Sequence, residues 1–322
     1  MRAIVQPSYG SPDVLELREV DTPTVGDDDV LVGVRASSVN ALDWHLLTGT
    51  PYLARLQMGL RRPKRAIPGA DVAGRVRAVG QNVTRFQPGD EVFGEVSGGA
   101  YAEYVCGTER GLVPKPAGIP FEQAASLPVA GLTAIQGLRD VGEIQSGQRV
   151  LINGASGGVG TFSVQIAKFF GAEVTAVCST SKVDMIRSLG ADHVIDYTQE
   201  DFTRTGRRYD LIFDGQGNHS IKDYKRVLEP KGSFVLFSGP KRRWLGPLSY
   251  IFRAKLGMLG GDQRMGFFIA QSRPDDLEFM GELVESEAVA PVIEAVYPLE
   301  GVPEALRYLG EGHARGKLVI TL

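Results

Sequence analysis

Over the first third of the chain the apolar residues fall in short, β-branched bursts broken by Gly and Pro. Residues 2–6, 30–36, 71–79, 90–96 and 100–106 read as strands between turns. A small β-rich barrel ending near Ile119 is the fold such a pattern predicts. From about Phe121 the period changes. Residues 122–141 carry a helical pattern, and strand-length apolar runs at 149–153, 173–178, 193–196, 209–213 and 232–237 alternate with helix-length stretches. That alternation predicts a parallel, doubly wound sheet with right-handed crossovers. Residues 266–270 add a last strand and 274–285 a helix. From about Val289 the short-strand character of the first third returns, with a strand at 292–297, a helix over 303–309 and a closing strand at 317–322. The expected fold class is α/β, a discontinuous β-rich domain (1–121 and 289–322) around an inserted sheet domain (122–288). Residues 240–265, with Lys241, Arg242 and Arg243 before Trp244, keep no clean period and read as a loop or short-helix lid.

One segment carries chemistry as well as pattern. The apolar run 149–153 leads into Gly154-Ala155-Ser156-Gly157-Gly158-Val159-Gly160, and Val159, Phe162, Ile166 and Phe170 mark one face of a helix that Gly171 stops. Glycines at 154, 157 and 160 permit a sharp turn, close approach of backbone to a pyrophosphate, and tight packing of helix on strand. The helix N-terminus adds free N–H groups and a positive dipole. A dinucleotide cradle is predicted, against the plainer alternative of a Gly-rich turn.

The end of the next strand selects the dinucleotide. A site for NAD places Asp or Glu there, roughly twenty residues past the glycines, to accept from the ribose hydroxyls. Here the chain reads Ser179-Thr180-Ser181-Lys182. Hydroxyls and an ammonium bind a 2′-phosphate that a carboxylate would repel, so NADPH is favoured over NADH. Ser179 also suits a helix N-cap and Lys182 a solvated first turn, and both roles are compatible with phosphate binding.

Composition narrows the class without naming a partner. With 322 residues, 43% hydrophobic and 23% charged, the chain can bury two sizeable cores. A net charge of -3 exerts no global pull toward nucleic acid or an anionic membrane. Cys106 and Cys178 are the only cysteines, too few for a disulfide framework or a four-thiolate zinc site, which fits a reducing cytoplasm. No run of about eighteen apolar residues occurs, and the N-terminus opens on a strand pattern, so neither membrane spanning nor export is expected.

Further along, Ala36-Ser37-Ser38-Val39-Asn40, Pro68-Gly69-Ala70-Asp71-Val72-Ala73-Gly74, Gly89-Asp90-Glu91-Val92, Gly131-Leu132-Thr133-Ala134, the glycine cradle, and Leu189-Gly190-Ala191-Asp192 leading to Ile195-Asp196-Tyr197 follow one another in a recognisable order. Together they resemble the medium-chain dehydrogenase/reductase superfamily, in its zinc-free, quinone oxidoreductase-like (zeta-crystallin-like) branch, over nearly the whole chain. The resemblance implies a GroES-like β-rich catalytic domain split around a Rossmann domain, with the active site in the cleft between them. Where zinc-dependent relatives place three zinc ligands, this chain has Asn40, Ala70 and Ala130, and only Asp71 could serve in that shell. Without a Lewis acid, alcohol oxidation loses its main activation, whereas hydride donation into a quinone, enone or enal needs none.

The resemblance also assigns roles. Asn40 would face the nicotinamide and donate to a carbonyl as charge develops there; the alternative is a turn residue capping the next helix. His45 stands where several relatives carry a Tyr beside the nicotinamide, and Tyr52 near a proton-donating Tyr of enoyl reductases. Asp43 reads as a helix-start acid rather than a base. Thr133 matches a carboxamide-binding threonine, and Phe237-Ser238-Gly239 a strand end along which the nicotinamide ribose passes. Tyr197 lies at the spacing from Lys182 by which relatives bring both to the 2′-phosphate. Arg315 and Lys317 resemble a C-terminal basic residue that reaches the cofactor, an exposed basic pair being the plainer explanation. Phe267 and Phe268 are candidate walls of the substrate pocket.

A basic run, Arg55, Arg61, Arg62, Lys64 and Arg65, reads as a solvated segment over the cleft, with an acyl-CoA or single-stranded nucleic acid as sharper alternatives. The leading expectation is an NADPH-dependent reductase of a quinone or α,β-unsaturated carbonyl compound. The alternatives are an NADP-dependent alcohol dehydrogenase, and an NADPH-binding protein with vestigial activity and a partner or RNA role. By analogy, a homodimer would pair through residues 265–270 at the Rossmann sheet edge.

Overall fold

The computed structural model describes residues 1–239, 248–258 and 261–322, so the Lys241, Arg242, Arg243 and Trp244 stretch lies outside the described residues. Within the expected lid, Leu248–Met258 is a helix. The chain divides into two compact units. One comprises Met1–Leu132, Gln271–Glu287 and Pro291–Leu322, the other Thr133–Ala270 and Ala288–Ala290.

Residues 122–132 and 271–287 thus group with the β-rich unit, whereas the sequence pattern puts them with the sheet domain. The helix Phe121–Ser126 packs on the strands Asp29–Val39 and Asp71–Val79, with Ala124, Ala125 and Ser126 buried. The helix Pro274–Glu285 packs on the strand Leu112–Pro114, and a Cβ at Gly131 would meet Met280 Cε at 2.8 Å. Periodicity reports that a helix forms and not which sheet covers its apolar face. The expected single helix over 122–141 is in fact Phe121–Ser126, Pro128–Ile135 and a wider π-type turn at Gln136–Val141. Pro128, lacking an N–H, ends the first segment and opens the second.

The β-rich unit is built on a seven-stranded sheet. Six strands follow the order Ile293–Pro298, Lys317–Thr321, Asp29–Val39, Asp71–Val79, Glu91–Glu95 and Leu112–Pro114, and Tyr104–Thr108 also pairs with Asp29–Val39. Val30, Val32, Val72, Val76, Val92 and Leu112 fill the core on one side, and Ile4, Leu47, Tyr101, Leu306 and Ile320 a second cluster. The closing strand Lys317–Thr321 lies antiparallel to Asp29–Val39 and completes the sheet that the first third of the chain began.

The second unit is a six-stranded parallel sheet in the order His193–Asp196, Glu173–Cys178, Arg149–Asn153, Tyr209–Asp214, Leu228–Leu236, Arg264–Phe267. The order reverses between Arg149–Asn153 and Tyr209–Asp214, and ligands of open α/β sheets bind outside the carboxyl ends of the strands at such a switch point. The helix Gly158–Phe169 is buried nearly all round, from Gly160 to Ala167, instead of on one face only. Phe162 and Ile166 carry the expected apolar face, while Ser163 and Gln165 turn their polar atoms to the carbonyls of Val159, Thr161 and Ala290. Among the described residues no helix is long and apolar enough to cross a membrane.

Candidate functional site

Sheet register assembles a buried polar cluster in the β-rich unit. Leu318 pairs with Val39, Ser38 with Asp71, and Asp71 with Glu95. Directly opposed residues of an antiparallel pair share a face, and so do residues two apart on one strand. Ser38, Asn40, Asp71, Glu95 and Lys317 therefore come together at one end of four adjacent strands. Asp71 Oδ2 accepts from Ser38 Oγ at 2.5 Å and Asn40 Nδ2 at 2.8 Å, and Lys317 Nζ stands 3.3 Å away. Asp71 Oδ1 accepts from the Val129 N–H at 2.9 Å. Lys317 also donates to Asn40 Oδ1. Lys317 is 2% exposed and Asp71 0%, which corrects the expectation of an exposed basic pair at 315 and 317. Only Arg315 is exposed, and it pairs with Glu294.

Asn40 is itself 6% exposed and opens the helix Ala41–Thr48, where its backbone N–H donates to Asp43 Oδ2 at 2.8 Å. Asn40 and Asp43 form a capping box at the helix start, and the Asn40 side chain also bonds to Asp71 and Lys317, so the capping role and the cluster role coexist. Asp43 is fully buried. Loss of solvent pushes its carboxyl up to about 7, with Asp71's charge adding to the rise. Half-buried Glu95 is pushed up to about 7 by burial, then by Asp71 and Asp43. Burial and the Asp43 charge drive the Tyr101 phenol well above its ordinary range, and its hydroxyl donates to the Ser38 carbonyl at 3.3 Å.

After this helix the chain turns at Gly49, in the left-handed region at φ 62°. His45 Nδ1–H donates to the Thr50 carbonyl at 2.9 Å. Tyr52 begins a short turn, Tyr52–Ala54, and the Arg55 guanidinium lies 4.7 Å from its ring centre and 4.4 Å from that of Tyr9. Arg55 Nε donates to the Gly49 carbonyl at 2.8 Å, tying the turn to the helix end. The basic run therefore divides: Arg55 is a staple, while Arg61, Arg62, Lys64 and Arg65 are exposed.

In the sheet unit, the glycine turn sits at the carboxyl end of Arg149–Asn153. Gly154 has φ +88°, and a Cβ there would meet Gln216 Nε2 at 2.6 Å; a Cβ at Gly160 would meet the Gly154 carbonyl at 2.2 Å. Gly157 precedes the helix Gly158–Phe169 with no side-chain cap. The N–H groups of Gly158, Val159 and Gly160 thus stand at the start of a twelve-residue helix, beyond the reach of intrahelical acceptors. Ala155 and Ser156 are buried in the turn. Glycine spacing, free N–H groups and dipole fit a pyrophosphate.

Ser179 precedes the turn Thr180–Lys182 and accepts the Lys182 N–H on its carbonyl at 2.9 Å. Tyr197 is 63% exposed and its N–H reaches the Cys178 carbonyl, so Ser179, Lys182 and Tyr197 converge at two adjacent strand ends. Asp196, at that edge, accepts from Thr180 Oγ1 at 2.5 Å and Thr198 Oγ1 at 2.8 Å. A cavity of about 260 Å³ beside them is lined by Asn153, Val177, Tyr197, Phe202, Asn218 and His219 among others. A larger cavity of about 530 Å³, rich in arginine, flanks the amino end of Tyr209–Asp214 and is on the wrong end of the sheet for a cofactor.

Asp214 anchors the other side of the switch point. Its Oδ1 accepts from the N–H groups of Gln216 at 2.6 Å and Gly217 at 3.0 Å and from Asn153 Nδ2 at 3.1 Å, while Tyr224 donates to Oδ2. Burial pushes this carboxyl up, against the pull of those donors. Phe237 follows Leu228–Leu236 and stacks on Phe213 at 4.4 Å, which leaves the backbone of Ser238 and Gly239 at the strand end. Phe267 packs on the unit's core, and Phe268 lies against Gly137. Thr133 sits half-buried on the helix Pro128–Ile135.

Residues 26–117 match the alcohol dehydrogenase GroES-like domain, and residues 189–320 the zinc-binding dehydrogenase family. The chain is 32% identical over 336 residues to the chloroplast envelope quinone oxidoreductase homolog of Arabidopsis thaliana, covering 99% of this chain and 98% of that one. It is a medium-chain dehydrogenase/reductase of the quinone oxidoreductase-like branch. A second Arabidopsis thaliana relative of this family, the NADPH-dependent alkenal/one oxidoreductase, chloroplastic, is 34% identical over 99% of this chain and 79% of its own. The quinone oxidoreductase structure from Coxiella burnetii superposes with a TM-score of 0.89 at 31% identity, over 100% of this chain and 99% of that one.

Within this superfamily fold, the sequence motifs locate the cradle and Asn40. They miss Lys317, Asp43 and Glu95 as members of one cluster, and Asp214 with Tyr224. No local signal singles out Lys317: like the exposed Arg2 and Arg149 it heads an apolar strand run, and its burial follows from the register that sets it opposite Asn40.

Proposed function

We propose that this NAD(P)H-dependent oxidoreductase, which binds NADP(H), reduces an electron-poor acceptor, a quinone or an α,β-unsaturated carbonyl compound, without a zinc ion. The observation that carries the reading is the Asn40–Asp71–Lys317 cluster. A zinc ion would need three good N, S or O ligands in one shell. Asn40, Ala70 and Ala130 stand at the family's ligand positions, and the remaining carboxylate, Asp71, already faces an ammonium 3.3 Å away. That donor set does not fit zinc.

The nicotinamide supplies a hydride when bound. Gly154, Gly157, Gly158, Val159 and Gly160 hold the pyrophosphate by backbone N–H groups, and Ser179, Lys182 and Tyr197 take the 2′-phosphate. The cavity by Phe202 and His219 suits the adenosine. Thr133 and the Phe237–Gly239 backbone orient the carboxamide and ribose, and Arg315 lies on the loop before Lys317. Asn40 donates an N–H to the acceptor's carbonyl oxygen as negative charge builds there. Relatives named for quinone and for alkenal/one substrates support both acceptor classes. His45 and Tyr52 shape the approach, with Tyr52 a candidate for completing protonation. Cys106 and Cys178 are both free thiols, which suits a reducing compartment such as the cytoplasm. Arg264–Phe267 ends the sheet with an outer edge that suits pairing with a second copy.

The test is NADPH oxidation with a panel of quinones, 2-alkenals and enones, beside NADP⁺ reduction with primary and secondary alcohols. Turnover of at least one quinone or enal, unaffected by a zinc chelator, is expected. Alcohol-dependent NADP⁺ reduction that a chelator abolishes would overturn the reading.

A further inference from the structure

Donation by Asn40 requires that its amide be held the right way round, because the two ends of that group differ by a single atom. Two side chains settle the matter. An ammonium only donates and an ionised carboxylate only accepts. Lys317 donates to Asn40 Oδ1, and Asp71 Oδ2 receives Asn40 Nδ2 at 2.8 Å. A flipped amide would set its NH₂ against the ammonium and its oxygen against the carboxylate, so one orientation is enforced. One N–H of Nδ2 is engaged by Asp71, and the second has no acceptor among the described residues. Asp71 is itself fixed, by Ser38 Oγ and the Val129 N–H. Donation into Oδ1 also polarises the amide and strengthens the remaining N–H as a donor. A buried ion pair contributes little net stability compared with apolar residues of the same volume, which leaves orientation as the use to which this pair is put.

We infer that Lys317 and Asp71 are positioning residues for the reduction: together they lock the Asn40 amide in the orientation that offers an N–H to the acceptor oxygen. The inference rests on the Asn40 role proposed above. Neither residue touches the acceptor, and both act through the amide.

A double-mutant cycle on the full chain tests it, with kcat and KM read from NADPH oxidation by trans-2-hexenal or an ortho-quinone. The variants are Asn40→Ala, the charge-balanced pair Lys317→Met with Asp71→Asn, and all three together. Asn40→Ala is expected to lower kcat about 100-fold, as loss of an oxyanion donor does. The pair is expected to lower it about 10-fold or more with NADPH affinity nearly unchanged, and the triple variant to fall no further than Asn40→Ala. A triple variant showing the product of the two losses overturns the inference while leaving Asn40's role intact. An Asn40→Ala enzyme within about twofold of the parent overturns the underlying reading itself. If the paired variant does not fold, Lys317→Arg and Lys317→Gln decide instead. Arg remains donor-only and should exceed Gln, which also accepts, by about 10-fold in kcat, and equal values would refute the positioning role.

Discussion

Lys317 and Asp71 meet as a buried ion pair, Nζ 3.3 Å from Oδ2, although 246 positions separate them along the chain. The register Leu318 with Val39 and Ser38 with Asp71 brings them there, so the pair depends on the closing strand being in place. Removing one partner strands a charge in the interior. Lys317→Met alone is therefore expected to destabilise the protein by about 3–5 kcal/mol, and Lys317→Met with Asp71→Asn by clearly less. Urea unfolding of the three proteins checks the order, and a double variant weaker than the single one would refute it.

Asp43 makes stability depend on pH. In the unfolded chain its carboxyl ionises near the ordinary 3.8, and in the folded protein near about 7. Between those values the folded state holds the extra proton, so the stabilisation present below about pH 4 is lost as pH rises through 7. The rise corresponds to about 4 kcal/mol in order of magnitude. Asp43→Asn should keep the bond from the Asn40 N–H and flatten the fall of Tm between pH 4 and 7. Glu95, raised to about 7 as well, leaves part of that slope in the variant. A Tm profile identical to the parent's would count against a proton on Asp43.

Lys182→Ala is expected to weaken NADPH binding about 10-fold or more with NADH affinity nearly unchanged, because the lost ammonium has no 2′-phosphate to meet in NADH. Fluorescence titration with each nucleotide measures the ratio. Equal losses for the two would place Lys182 away from the phosphate.

Gly160→Ala probes the cradle. Its Cβ would lie 2.2 Å from the Gly154 carbonyl, a backbone atom that cannot swing aside. The helix must then retreat from the turn. Loss of NADPH binding by at least about 10-fold, with a drop in stability of about 1–3 kcal/mol, is the expected result. Gly157, whose Cβ would make only an ordinary contact with the Gly154 carbonyl at 3.7 Å, serves as the comparison: Gly157→Ala should fold normally.

Local pattern makes much of this molecule legible. The strands Asp71–Val79, Arg149–Asn153, Glu173–Cys178 and His193–Asp196 and the helix Pro274–Glu285 run over the spans their periodicity predicts. Each is a strongly periodic segment bounded by turn residues. The cradle is legible for the same reason, since its glycines, strand and helix are contiguous. The polar cluster is not, because Asp71, Glu95 and Lys317 belong to three strands, Asn40 follows a fourth, and only register unites them. Asp43 shows the limit most plainly: an acid in a first helical turn ordinarily faces water, and what buries it is the sheet beneath, which a helix signal does not report. The strand expected at 100–106 begins instead at Tyr104, because Gly98 and Gly99 take positive φ and carry the chain through a turn first.

The most direct measurement follows the hydride itself. With NADPH deuterated at the transferring C4 position and trans-2-hexenal as acceptor, one deuterium should appear at the β-carbon of the saturated aldehyde, with one NADPH consumed per product. Deuterium at the carbonyl carbon would contradict the account, since the enzyme would then be reducing aldehyde to alcohol, and so would a failure to oxidise NADPH with every enal and quinone offered.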